Sequence, residues 1–305
     1  MDVSTYNALR LGTPHHEKTE AFGDTGGGTN INDPSWRQSK HDPYELTTFS
    51  KHHIDGAPTG AVSSAKITES QAFPGTTRDT WLYVPLQYSN DIPANLLVCF
   101  DGGGYVDRFG VPTVLDNLIH RKEIPATICV FLSPGKHQDY AEQRSHEYDT
   151  VNGLNAQFLT EEVLPPIEAK YNISRDPKRR CVCGLSSGGI AAFSVAWFRP
   201  KSFGCVISWI GSFTNIRGGH NYPWLVRNTK RKPIKVFLQD GSNDLNNQHG
   251  SWPLANKEMH AALLYAGYNV RLEWGEGNHS GTHGAAVFPD TLRWMWPSLP
   301  PTGKL

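Results

Sequence analysis

The chain of 305 residues has no excess of charge: 29 lysines and arginines stand against 29 aspartates and glutamates. A neutral balance supplies no field that would gather nucleic acid or an anionic membrane, so neither is expected as a partner. No apolar run is long enough to span a bilayer. The first residues, MDVSTYNALRLGTPHHEKTE, lack the basic start and apolar stretch of a secretory signal. Cysteine is scarce, with five residues at 99, 129, 181, 183 and 205, all in apolar, strand-like segments. An odd number so placed argues against a disulfide framework and for free buried thiols, and with no export signal it leads us to expect a cytoplasmic protein. Cys181 and Cys183 should face the same side of a strand. A metal there would need further ligands nearby and none is evident, so no metal or cofactor is expected. No internal repeat is apparent.

What remains is ordinary material for a core, 38% hydrophobic, unevenly spread. Residues 1–60 are polar and rich in Gly, His, Pro and Asp, and read as an extended N-terminal arm. GDTGGGTN within it neither follows a strand nor opens a helix, so a phosphate loop is not expected there. Residues 61–305 read as one domain in which strands alternate with helices. Strands are expected in AVSSAKITES, RDTWLYVPLQY, ANLLVCF, PATICVFL, RRCVCGL, FGCVISWI, PIKVFLQ and NVRLEW. Helices are expected in NAQFLTEEVLPPIEAKY (bent by its proline pair), SGGIAAFSVAWF, ANKEMHAALLYAG and AVFPDTLRWMW. The expected fold class is α/β, a mostly parallel sheet with helices on both faces and its chemistry at the carboxyl ends of the strands. No large lid is expected, only a modest segment around 213–231.

Between an apolar strand and an apolar helix lies GLSSGG, with Gly184, Ser186 and Gly188 spaced G-x-S-x-G. Alone the spacing is weak, but strand–turn–helix is the context it needs. The serine would sit on a tight strained turn, with glycines where side chains would collide, and the helix N-terminus would favour negative charge beside it. A serine hydroxyl is a poor nucleophile without a base to take its proton. The base and its acid should follow at later strand ends. LQDGSNDLNN offers Asp240 and Asp244, and position past the strand favours Asp244. EGNHSGTHG offers His279 and His283, and His279 comes first after its strand. An oxyanion would take the N–H of Ser187 and one from the Asp101-Gly102-Gly103-Gly104 loop, with Gly103 favoured.

Residues 70 to about 297 resemble the putative-esterase group of α/β-hydrolases, which includes enterochelin, feruloyl and esterase D-type enzymes. The likeness rests on FDGGGYVDRFGVPTVLDNLIHRKEIPATICVFL, on RSHEY at 144–148, on GLSSGG, on FGCVISWIGSF and on GNHSGTHGAAVFPDTLRWMW. It implies an α/β-hydrolase fold, places the base on His279, and through GSNDL places the acid on Asp244. Arg144 and Glu147 would form a structural ion pair or contact substrate, and Tyr105 and His283 are further candidate substrate contacts. The expected activity is a cofactor-independent serine esterase acting on a small-molecule carboxylic ester, with a lactone and a phenolic ester as the candidates. An acyltransferase using the same residues, or a binding module on the same fold, are the alternatives.

Overall fold

A computed structural model describes residues 42–296. The Gly-rich segment at 23–30 and most of the polar arm lie outside them. The main sheet is built from β1 (Ala61–Ile67), β2 (Thr76–Val84), β3 (Asn95–Phe100), β4 (Thr127–Leu132), β5 (Arg180–Leu185), β6 (Cys205–Trp209), β7 (Lys235–Gly241) and β8 (Asn269–Gly275). Their order is β1-β2-β4-β3-β5-β6-β7-β8, with the short pair Lys136–His137 added beside β2. β1 and β2 are antiparallel to their neighbours, and every pairing from β4 through to β8 is parallel. Parallel strands need crossovers, and the helices supply them.

The described helices are α1 (Thr48–Lys51), α2 (Val111–His120), α3 (Gln143–Asp149), α4 (Leu154–Gln157), α5 (Leu164–Lys170), α6 (Ser187–Phe198), α7 (Tyr222–Asn228), α8 (Trp252–Tyr265), α9 (Thr282–Ala286) and α10 (Phe288–Met295). Strand alternation divides the core. Val98, Val182, Val206, Val236 and Leu238 point to one face, where α4 to α8 cover them. Leu97, Cys99, Cys129, Cys181, Cys183, Cys205, Ile207 and Phe237 point to the other, under α2, α9 and α10. All five cysteines are therefore on one face, free and buried, and Cys181 and Cys183 share a side because they stand two apart.

Two expectations need adjusting. The helix expected over residues 155–171 is α4 and α5 joined by a π-helical turn at Phe158–Val163. The break comes before the prolines, because Pro165 and Pro166 occupy the first turn of α5, where a missing N–H costs nothing. The sequence reading also passed over α3, a seven-residue helix in a polar stretch. The segment around 213–231 holds only a single 3₁₀ turn, Gly219–Asn221, and α7.

Candidate active site

The parallel strands end along one edge of the sheet, and the chemically interesting residues lie on the loops just past those ends. β5 runs into Ser186, whose backbone is at φ 55°, ψ −122°, and α6 starts at the next residue. A positive φ at a residue with a side chain is strained, of order 1–3 kcal/mol, and is held only where the surroundings dictate it. Here they do. Ser186 N–H donates to the Trp209 carbonyl at 2.9 Å, and the Ser186 carbonyl accepts from Gly189, Ile190 and Ser212 at 2.9, 3.2 and 3.1 Å. A Cβ at Gly184 would strike the Gly188 backbone, and one at Gly188 would lie 2.8 Å from Asp101 Oδ2.

On this turn the Ser186 hydroxyl donates to His279 Nε2 at 2.8 Å. The opposite ring nitrogen, Nδ1–H, donates to Asp244 Oδ1 at 2.5 Å. Asp244 Oδ1 also accepts the Leu245 N–H, and that acceptor fixes the tautomer with Nε2 bare toward the serine. The three side chains come from the loops after β5, β7 and β8. Burial is the largest influence on each group: it pushes the imidazole of His279 down to about 4, with Asp240 opposing the shift and Arg144 adding to it, and pushes Asp244 up to about 6. Such a chain can take the serine proton as its oxygen attacks an electrophile.

Asp240 stands at the end of β7, fully buried, with Oδ1 accepting the Gly241 N–H at 2.7 Å. It makes no hydrogen bond to His279. His283 points elsewhere: Gln239 Nε2 donates to its Nδ1 at 3.0 Å, and its ring stacks on Tyr44 with centroids 3.6 Å apart. It braces the histidine loop from behind. Ser187 opens α6, where a helical N–H has no acceptor inside the helix. Gly103 lies past β3, and a Cβ there would meet only the Trp81 ring at 3.5 Å. Among the described residues no group of three or more His, Cys, Asp or Glu side chains is arranged to hold a metal, and no helix is long and apolar enough to cross a membrane.

Three candidate contacts are corrected. Arg144 and Glu147, three apart on α3, do not pair. Arg144 makes a two-pronged bond to Asp101 at 2.8 and 2.9 Å, which ties the glycine loop to α3. Glu147 is buried and takes both prongs of Arg78 at 2.7 and 2.9 Å, with Gln143 at 2.8 Å, so it has nothing left for a substrate. Tyr105 is fully buried. Its ring lies against Trp209, centroids 5.2 Å apart, because the π-helical turn at Gly104–Arg108 rolls it inward.

Five neighbours escaped the sequence reading. Ser212 Oγ lies 3.3 Å from Ser186 Oγ and accepts from Trp252 Nε1 at 3.2 Å, while the Trp252 ring meets His279 edge-on at 5.6 Å. Position just past β6 was the signal for Ser212. Asp149, buried beside Ser145 and Ser187, is pushed up to about 6 by burial. From the arm, Ser280 Oγ bonds Asp42 and the Tyr44 hydroxyl accepts the Glu276 N–H at 3.3 Å, so residues 42–44 clasp the loop that carries His279.

A mostly parallel sheet covered on both faces, with a serine on a strained strand-to-helix turn at its carboxyl edge, defines an α/β-hydrolase. The model of the Putative esterase family matches residues 70–264, and the chain belongs to that family. It is similar to the iron(III) enterobactin esterase of Escherichia coli O6:H1 (strain CFT073), 32% identical over 155 residues that cover 48% of this chain and 37% of that protein. It is also similar to the iron(III) enterobactin esterase of Dickeya dadantii (strain 3937), 24% identical over 243 residues, 72% of this chain and 51% of that one. The chain thus spans about half or less of the length of these relatives. Among solved structures, the enterobactin esterase from Shigella flexneri in the presence of 2,3-dihydroxy-N-benzoyl-serine gives a TM-score of 0.66 at 21% identity, covering 79% of this chain and 60% of that one. A ferulic acid esterase gives 0.64 at 16% identity, covering 78% and 98%. At those identities the likeness is one of fold.

Proposed function

We propose that this protein is a serine esterase that hydrolyses a carboxylic ester through Ser186, His279 and Asp244. The observation that carries the reading is the unbroken chain of hydrogen bonds from Ser186 Oγ through both nitrogens of His279 to Asp244, 2.8 and 2.5 Å, set on a strained turn. His279 Nε2 takes the Ser186 proton as Oγ attacks the ester carbonyl. Asp244 holds the ring and balances the imidazolium. The oxyanion forms against the N–H groups of Ser187 and Gly103, beside the positive end of α6. His279 then gives its proton to the leaving alcohol, and water releases the acyl group by the same route in reverse.

For substrate we propose an ester bearing an aromatic, phenolic group. The support is an open cavity of about 360 Å³ lined by Phe73, Pro74, His137, Tyr140, Gln143 and His146. None of these residues belongs to the Ser186–His279–Asp244 chain; Gln143 and His146 come from α3, and the rings and imidazoles suit a flat polar ring. The iron(III) enterobactin and ferulic acid esterases among the relatives make the same suggestion by their names. The test sets wild type and Ser186→Ala against a short nitrophenyl ester, a feruloyl ester and a macrocyclic trilactone siderophore, with products read by mass. Removing a serine nucleophile costs at least about a thousandfold in turnover. Near wild-type turnover by Ser186→Ala would end the reading, and turnover of the nitrophenyl ester alone would keep the chemistry and reject the phenolic substrate.

A further inference from the structure

The loop after β7 brings two carboxyl groups together and gives them too few donors. Asp240 is fully buried at the strand end, paired in the sheet with Trp274. Four residues on, the turn closes with the Asp244 N–H on the Gly241 carbonyl at 3.3 Å. It is packed hard on the histidine loop, where a Cβ at Gly241 would collide with Gly277. One oxygen of each carboxyl is served: Asp240 Oδ1 by the Gly241 N–H, and Asp244 Oδ1 by the Leu245 N–H and His279 Nδ1–H. The second oxygens, Asp240 Oδ2 and Asp244 Oδ2, are both buried with no donor. Two ionised carboxylates would leave both stranded, at a cost that buried polar groups rarely bear.

A single proton answers both. An O–H on the free oxygen of Asp240 would serve Asp244, whose side chain is its hydrogen-bonding neighbour. The proton belongs on Asp240, because Asp244 already accepts two N–H donors that favour its ionised form and Asp240 accepts one. We propose that Asp240 is a carboxylic acid kept protonated at neutral pH, which hydrogen-bonds the free oxygen of Asp244 and so aims the other oxygen at His279. Asp240 is a positioning residue; its proton is held, not transferred. The inference rests on the reading of Ser186, His279 and Asp244 as the catalytic chain. Burial and the neighbouring Asp244 push the pKa of Asp240 the same way, upward. The other titratable groups facing the pair are His279, with Arg144 of α3 acting on it, and His283, held by Gln239 next to Asp240 on β7.

The experiment pairs infrared spectroscopy with turnover. At pH 8 Asp149, which lies at about 6, is ionised, so wild type should still show a protonated-carboxyl C=O band that shifts in D₂O and vanishes in Asp240→Asn. The asparagine can keep the Gly241 N–H on its carbonyl and offer an amide N–H to Asp244, so kcat should stay within about threefold of wild type. Asp240→Ala offers no donor and should lose about tenfold or more in kcat with KM little changed. Absence of a band lost in Asp240→Asn overturns the proposal even if Asp240→Ala does not fold. So does an asparagine variant as slow as the alanine one, or an alanine variant as fast as wild type. Ser186→Ala should keep the band, so failure of the triad reading and failure of this proposal give different results.

Discussion

The His279 side chain is buried. Burial penalises the imidazolium, and with Arg144 adding its own positive charge the group is driven below its usual range, to about 4. In the proposed mechanism the working form of the base is the neutral one. A lowered affinity for protons therefore moves the acid limb of kcat/KM downward, and half-maximal activity should fall below pH 6.5. A pH–rate profile checks this, and Arg144→Gln should move the limb back up. Glu147 is a different kind of buried charge. It is satisfied by Arg78, Gln143 and the Gly135 N–H, so Glu147→Ala leaves a buried guanidinium unpaired and should destabilise the fold by about 3–5 kcal/mol. Denaturant titration would show it as a lowered midpoint at unchanged m. The sequence displayed Glu147 but hid its partner, because Arg78 lies 69 residues away on β2 while Arg144 stands three residues off on the same helix.

At the scale of elements, the Ser186 turn was the most legible part of the molecule. Small residues around one serine, between an apolar strand and an apolar helix, leave few structural alternatives, and the geometry of Ser186 follows from the glycines. Gly188→Ala should cost activity more than stability, because the new methyl meets Asp101 Oδ2 and the Phe100 Cβ at 2.8 and 3.3 Å, on the loop proposed for the oxyanion. A kcat loss with a near-native thermal midpoint is the expected result. Less legible were α3 and residues 42–44. Their function lies in what they touch, and a polar segment does not announce its contacts. The Tyr44–His283 stack and the Asp42–Ser280 bond clasp the histidine loop, so Tyr44→Ala should lower kcat about tenfold with a small change in KM. Unchanged kcat would show that the loop holds itself in place.

For the whole molecule, strand alternation was read correctly and gave the sheet its two covered faces, whereas strand order could not be read, since nothing local says that β4 inserts between β2 and β3. The five cysteines report on the intact fold. All are buried, and burial raises each thiol above its ordinary range, so the native protein should yield none of the five to a disulfide reagent and all five in denaturant. Any thiol that reacts quickly in the native state would mean that the face under α2 and α10 opens locally.

The clasp joins positions 232 and 238 residues apart. A ribosome delivers Tyr44 long before His279. Until His279 emerges, the early segment has no loop to hold and Ser186 has no imidazole beside it. On the proposed reading, hydrolysis therefore switches on only when these distant segments have both emerged and met, which would make turnover a clock for a long-range step of folding.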